Sequence, residues 1–347
     1  MNKTKSSKLK SSKSKTKKSS TKSSTKSSTK SSTKSSLLYC CPDRKNKTQC
    51  SKIKPEFNIN KKDKYAIMTL IFGGDSYLPG ILLLGSSIRK VMSSTNSNNN
   101  NNSIDLCCMV TKDISPEAKK LILKIYDRVI DVDYLQISPN LIKHKNPNTR
   151  ISYSKTFTKL RIFEFTEYDK ILYLDADMLV IKKDIFSLFN IKTPAAVFMG
   201  KLSNDHTERY FKNKKGLEKF QNKYCNWEEK GKELHGNLIP YNNKYENERS
   251  SAGMNIETSL LVITPSIFIT KQRDNYLKYI REKKIKMSGD TEMMSRMFKN
   301  KIYAIEPRFF GRWVNPEEHP ELVVLDLYGS DGKPWDIAMF KELLKYI

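Results

Sequence analysis

Four short runs of apolar residues, Tyr65–Phe72, Asp105–Val110, Lys170–Leu174 and Ser259–Ile263, constrain this chain more than any other feature of it. Runs this short, with no polar face, are the pattern of strands buried on both sides. Between them lie stretches with apolar residues at helical spacing: Tyr77–Val91, which carries Arg89 and Lys90 near its end, Pro116–Tyr126 and Ser154–Glu164. Arg128–Val132 reads as a further short strand. Downstream, Asp274–Lys283 and Asp290–Phe298 read as helices and Lys301–Ile305 as a strand. Strands that alternate with helices predict an α/β domain with a parallel sheet and right-handed crossovers, spanning residues 63–347.

The remaining segments cannot join that core. Residues 1–36 are almost wholly Lys, Ser and Thr, and 37–62 stay basic with Pro42 and Pro55 as breakers, so 1–62 is expected to be a disordered tail and linker. The net charge is +26. By count about seventeen of those charges fall in residues 1–62, which moderates the basicity of the rest. Such a tail attracts polyanions, yet it equally suits a solubilising extension, so charge alone does not indicate a nucleic-acid enzyme. The asparagines of 96–102 predict a loop, and residues 202–249, rich in Lys, Asn and aromatics, predict a long excursion. No stretch approaches the apolar length that spans a bilayer, and no signal-peptide core follows the first lysines, so a cytoplasmic location is expected. Cys107 and Cys108 sit inside an apolar run and read as reduced core residues. The asparagine and lysine bias points to an AT-rich genome, such as that of a large DNA virus or a protist.

Asp175-Ala176-Asp177 follows the strand Lys170–Leu174 directly. Carboxylates at i and i+2 of an extended chain project to one side, at the strand end where open α/β sheets bind ligands. Hard oxygen donors suit Mn²⁺ or Mg²⁺, ions that also bridge a pyrophosphate and neutralise a departing phosphate. A polar turn capping the strand is the plain alternative. A dehalogenase-type phosphatase, whose first Asp is a nucleophile, is disfavoured by Leu179 and by the ordered chain that precedes the motif.

Five segments, in order, resemble glycogenin-like glycosyltransferases of family 8. They are Thr69-Leu70 with Asp75-Ser76-Tyr77 and Pro79–Ser87, Thr158-Lys159-Leu160, Tyr173–Asp177, Ser288-Gly289-Asp290-Thr291, and Lys333-Pro334-Trp335. Thr264-Pro265-Ser266 also closes a strand where the family has a similar turn. The resemblance implies a GT-A fold (Rossmann-like, nucleotide-diphospho-sugar transferase), a UDP-sugar donor, Mn²⁺ dependence and retention of anomeric configuration. It places Thr69, Leu70 and Tyr77 at the nucleotide, and Lys159 and Lys333 at the phosphates. Asp175, Ala176 and Asp177 fall at the metal, and Asp290 with Glu257 at the sugar.

Each placement has a plainer counterpart. Tyr77 stacks on a base or packs a helix start; Lys159 neutralises phosphate or lies on a solvated face; Asp290 contacts sugar or caps a helix. Lys333 steadies a leaving diphosphate or is an ordinary loop residue. Where the family has a histidine as third metal ligand, this chain has Asp326, followed by one extra residue before Lys333. Glu257 stands near the family's Asn-Ser-Gly turn, and Gly73-Gly74 lengthens the first loop. The expectation is therefore a retaining, metal-dependent hexosyltransferase with Asp175, Asp177 and Asp326 as metal ligands and Asp290 and Glu257 as catalytic candidates. Its acceptor, glycan or protein, is unassigned. The competing expectation is an inactive GT-A-fold protein that binds polyanions through its tail.

Overall fold

The computed structural model describes residues 63–93, 104–198, 234–239, 256–312 and 319–327. These belong to one compact unit. The tail, the asparagine run, most of 202–249 and Lys333 lie outside the described residues.

The expected strands form: β1 (Tyr65–Ile71), β2 (Ile104–Val110), β3 (Arg128–Asp131), β4 (Lys170–Leu174) and β7 (Ile256–Ile263). β8 (Tyr303–Ile305) forms within the expected Lys301–Ile305, and one further strand, β6 (Ala195–Phe198), completes a seven-stranded sheet in the order β3-β2-β1-β4-β7-β6-β8. Both faces of β1 are covered, as its uninterrupted apolar run requires. Ile67 and Ile71 enter one core with Ile81, Leu84 and Ile88. Ala66, Met68 and Leu70 enter another with Phe157, Leu160 and Phe163. Cys107 and Cys108 divide between the same two cores as free, buried thiols, and burial pushes the Cys107 thiol up to about 11.

One expectation is corrected. The sheet is mixed, not parallel: β7 runs antiparallel to both β4 and β6, while β1, β2, β3 and β4 pair in parallel. A buried apolar run carries no directional signal, because parallel and antiparallel neighbours bury the same side chains. The reversal positions the site. It carries the start of β7, and hence Glu257 and Thr258, to the end of the sheet where β4 delivers Asp175.

The helices also differ in detail. α1 (Leu78–Ser93) matches its expected position after a 3-10 turn at Asp75–Tyr77, and α2 (Pro116–Ile122), capped by Ser115, ends earlier than expected. The helix expected at Ser154–Glu164 is instead α3 (Pro147–Lys155), capped by Asn146, followed by 3-10 helix over Thr156–Glu164. α4 (Ile267–Glu282) starts at the Ser266 cap, ahead of the expected Asp274. α5 (Asp290–Met297) follows Gly289. Within the 202–249 excursion, residues 234–239 lie along β8, with bridges from His235 to Ala304 and from Leu238 to Tyr303. No described helix is long and apolar enough to cross a membrane.

A second, three-stranded sheet was not anticipated. β5 (Met178–Val180) pairs antiparallel with β10 (Val324–Asp326), and β10 pairs in parallel with β9 (Gly311–Arg312). Ser87 of α1 fixes this sheet to the main one: its hydroxyl donates to the Leu84 carbonyl and accepts from the Val180 amide at 3.1 Å.

Close packing of α1 depends on Gly85. A Cβ there would lie 2.6 Å from the Tyr126 ring, which is held in place by a hydrogen bond from its hydroxyl to the Ile81 carbonyl. Gly85→Ala is expected to cost about 1–3 kcal/mol through overpacking. A lower urea midpoint with an unchanged m-value is the expected signature.

Candidate active site

A cavity of about 610 Å³ opens at the carboxyl ends of β1 and β4. Its two ends differ in chemistry. One is formed by Leu70–Gly73, Ser76 and Tyr77, with Asn148, Ile151 and Ser152 of α3 opposite. The other gathers five carboxylates, Asp175, Asp177, Glu257, Asp290 and Asp326, around Lys159 and Arg312.

The uncharged end is braced from below. The Gly73 amide donates to the Tyr134 hydroxyl at 3.0 Å, and that hydroxyl donates to Asp113 at 2.7 Å. Lys155 of α3 sits 4.6 Å over the Tyr134 ring, so one tyrosine touches both walls. Gly73 and Gly74 take φ of 78° and 94°, which suits glycine and explains the doubled glycine in this loop.

At the charged end, backbone pairing holds the Asp175–Asp177 loop from two sides. The Asp175 amide donates to the Ser259 carbonyl of β7, and the Leu327 amide donates to the Asp177 carbonyl, both at 2.8 Å. Lys159 lies between Asp175 (3.0 Å) and Asp290 (3.1 Å), with side-chain exposures of 8%, 27% and 9%. Burial by itself pushes the Lys159 ammonium down, but the two carboxylates outweigh it and hold it well above the ordinary lysine value. Tyr173 donates to Asp175 at 2.8 Å and Thr258 donates to Asp290 at 2.7 Å. Asp290 stays below the usual carboxylate value: burial raises it, and Lys159 with the Thr258 and Thr156 hydroxyls more than reverses this. Asp175 goes the other way, raised by burial and by Asp177 and Asp290 against the pull of Lys159.

Asp290 opens α5, and Gly289 supplies the φ of 150° that the entry needs. The loop before it is anchored by the buried Glu292, which accepts from the Ser288 amide and hydroxyl, each at 2.7 Å. Glu257 accepts from the Thr258 and Ser259 amides. Its other oxygen pairs with Arg312 at 3.3 Å, and Arg312 pairs with Asp326 at 2.5 Å. Burial pushes the Asp326 carboxyl up to about 6, with Asp177 and Glu257 adding to the rise and Arg312 opposing it.

The cavity thus brings together Leu70, Tyr77, Lys159, Asp175, Ala176, Asp177, Glu257, Asp290 and Asp326 among the expected residues. Thr69 is not among the lining residues. It shares its face of β1 with Ile67 and Ile71, which enter the α1-side core, and its buried hydroxyl has no hydrogen-bond partner. Among the described residues, no three His, Cys, Asp or Glu side chains are gathered closely enough to hold a metal ion as they stand. The donor set itself is nevertheless suitable: Asp175, Asp177 and Asp326 are hard oxygen donors on one cavity, and burial together with neighbouring carboxylates raises the Asp175 and Asp326 carboxyls. Arg312 and Tyr134 escaped the sequence reading, since each belongs to no recognisable motif.

The model of glycosyl transferase family 8 matches residues 69–229, a span that contains the Asp pair and Lys159. Over that span the chain is similar to glycosyl transferase family 8. An uncharacterized protein of Acanthamoeba polyphaga mimivirus is 36% identical over 132 residues, covering 38% of this chain and 42% of that protein. Glycogenin-1 of Saccharomyces cerevisiae is 31% identical over 137 residues, 37% of this chain and 22% of the glycogenin. The chain therefore spans less than half the length of these relatives. The apo structure of the bifunctional glycosyltransferase WbbM superposes with a TM-score of 0.50 at 13% identity, over 82% of this chain and 50% of WbbM. That likeness shows the GT-A fold.

Within this site, the Lys159 bridge and the Asp326 carboxyl make opposite demands on pH. Lys159→Met strands two carboxylates around an apolar side chain and is expected to cost about 3 kcal/mol at pH 7. The deficit should shrink in urea titrations toward pH 4, where those carboxylates protonate. Asp326 has a raised carboxyl, so its contribution is fully present below about pH 4 and lost as pH rises through about 6. Asp326→Asn should accordingly gain stability on wild type between pH 4.5 and 7.5, read from thermal melts in EDTA.

Proposed function

We propose that this chain is a metal-dependent, retaining hexosyltransferase that takes its sugar from a UDP-linked donor. The observation that carries the proposal is the two-ended cavity, apolar and aromatic at Tyr77 and rich in carboxylates around Lys159 at Asp175–Asp177. A nucleotide sugar has the same polarity, with a flat base at one end, an anionic diphosphate in the middle and a hydroxylated ring beyond it.

In this reading Leu70 and Tyr77 receive the base, Tyr77 through its ring face. Asp175, Asp177 and Asp326 would hold Mn²⁺ or Mg²⁺, which when bound offsets the charge of the diphosphate. Lys159 keeps Asp175 oriented and adds fixed positive charge beside the departing diphosphate. Asp290, aligned by Lys159 and Thr258, accepts hydrogen bonds from the sugar hydroxyls. Glu257, held by two backbone amides and by Arg312, sets its carboxylate near the sugar, where negative charge favours a developing oxocarbenium ion. Lys333, outside the described residues, is assigned to the diphosphate by family resemblance. The partial coverage of glycogenin leaves the acceptor to experiment.

Purified protein given Mn²⁺ and a panel of UDP-sugars should release UDP from one of them. Asp177→Ala is expected to lower that turnover at least a hundredfold, since it removes charge that acts on the transition state. Absence of UDP release across the panel, together with absence of Mn²⁺-dependent UDP binding, would overturn the proposal.

A further inference from the structure

We infer that Arg312 is an internal cation that competes with the divalent ion for Asp326, so that the site holds the ion alone only weakly. The inference rests on the metal assignment above and deepens it.

Two cations of the cavity already each bridge a pair of its carboxylates. Lys159 joins Asp175 to Asp290, and Arg312 joins Asp326 to Glu257. The second bridge involves an expected metal ligand. The Nε of Arg312 lies 2.5 Å from Oδ2 of Asp326, and its Nη2 lies 3.3 Å from Oε2 of Glu257. The guanidinium also lies 4.8 Å over the Phe310 ring, which fixes its place in the wall. Strand pairing sets this contact, because Arg312 of β9 is the register partner of Asp326 on β10.

A side chain bonded to a metal ligand either orients that ligand or competes for it, and the two roles predict opposite signs. Orientation is already supplied by the backbone. β10 is paired on both sides, and the next amide, that of Leu327, is bonded to the Asp177 carbonyl. Asp326 needs no guanidinium to face the Asp pair. What Arg312 adds is a full positive charge, only 20% exposed, against the carboxylate that would receive a dication. Repulsion between the two cations in that partly buried setting is the larger effect.

The test is a titration of the full-length chain with Mn²⁺ alone, followed by the electron paramagnetic resonance signal of the free ion. Arg312→Gln is expected to bind Mn²⁺ roughly tenfold more tightly than wild type. Arg312→Lys, which keeps the charge, should stay near wild type. Asp326→Asn introduced into Arg312→Gln should abolish the gain, which locates the effect at that carboxylate. A damaged fold weakens binding, so tightening cannot arise from misfolding. Equal or weaker binding by Arg312→Gln, with wild type binding an ion that Asp177→Ala releases, would overturn the role of Arg312 and leave the metal assignment standing. If wild type binds no Mn²⁺ that Asp177→Ala removes, the metal assignment itself falls, and this inference with it.

Discussion

The site depends on one buried ammonium group. A lysine taken out of water is costly unless opposite charges and hydrogen bonds meet it, and Lys159 is met by Asp175, Asp290 and the Thr258 carbonyl. Those partners come from separate parts of the fold: the 3-10 segment that carries Lys159, the end of β4, the start of α5 and the first residues of β7. Each is anchored elsewhere by apolar packing, so the electrostatic demand of one side chain converts four independent anchors into a single geometry. Flanking residues hold Lys159 in place: Phe157, Thr158 and Leu160 are fully buried. Breaking such a bridge is costly because the remaining charges have no water to turn to.

The charged end of the cavity is accordingly a balance between acids and built-in cations. The end at Tyr77 has no comparable charge and is shaped by packing and by the Tyr134 brace beneath Gly73. A ligand that is anionic in the middle and neutral at its base meets the two halves in different ways. Shape decides at one end, and the mismatch of charge at the other.

The sequence disclosed the parts of this arrangement that rest on hydrophobic periodicity and local motif. The strands β1, β2, β4 and β7 were legible because burial on both faces leaves no room for polar residues. Asp175 and Asp177 were legible because they stand at the end of such a strand, and most of the residues expected from family resemblance do line one cavity. The direction of β7 was not legible, since burial is blind to strand polarity. The 3-10 character of Thr156–Glu164 was hidden because Phe157, Thr158, Lys159, Leu160, Ile162 and Phe163 are all buried, which leaves no one-sided stripe to set a period. β5, β9 and β10, of two or three residues each, are too short to show any period, yet they bring Asp326 and Arg312 to the site. Thr69 lies on the strand that the motif match identified, but alternation along β1 turns its side chain toward the α1-side core.

The small sheet has a consequence for how the molecule comes into being. β5 follows the Asp pair immediately, but its partner β10 is translated roughly 150 residues later, with most of the domain in between. A nascent chain can assemble β1, β2 and β4 with α1 while β5 still has an unpaired edge. During that interval Asp177 lacks the backbone bond from Leu327, and the cavity lacks both Asp326 and Arg312. The charged end of the cavity should therefore be completed late in synthesis, as the closing event of folding, and a truncated product could carry the Asp pair yet lack a finished site.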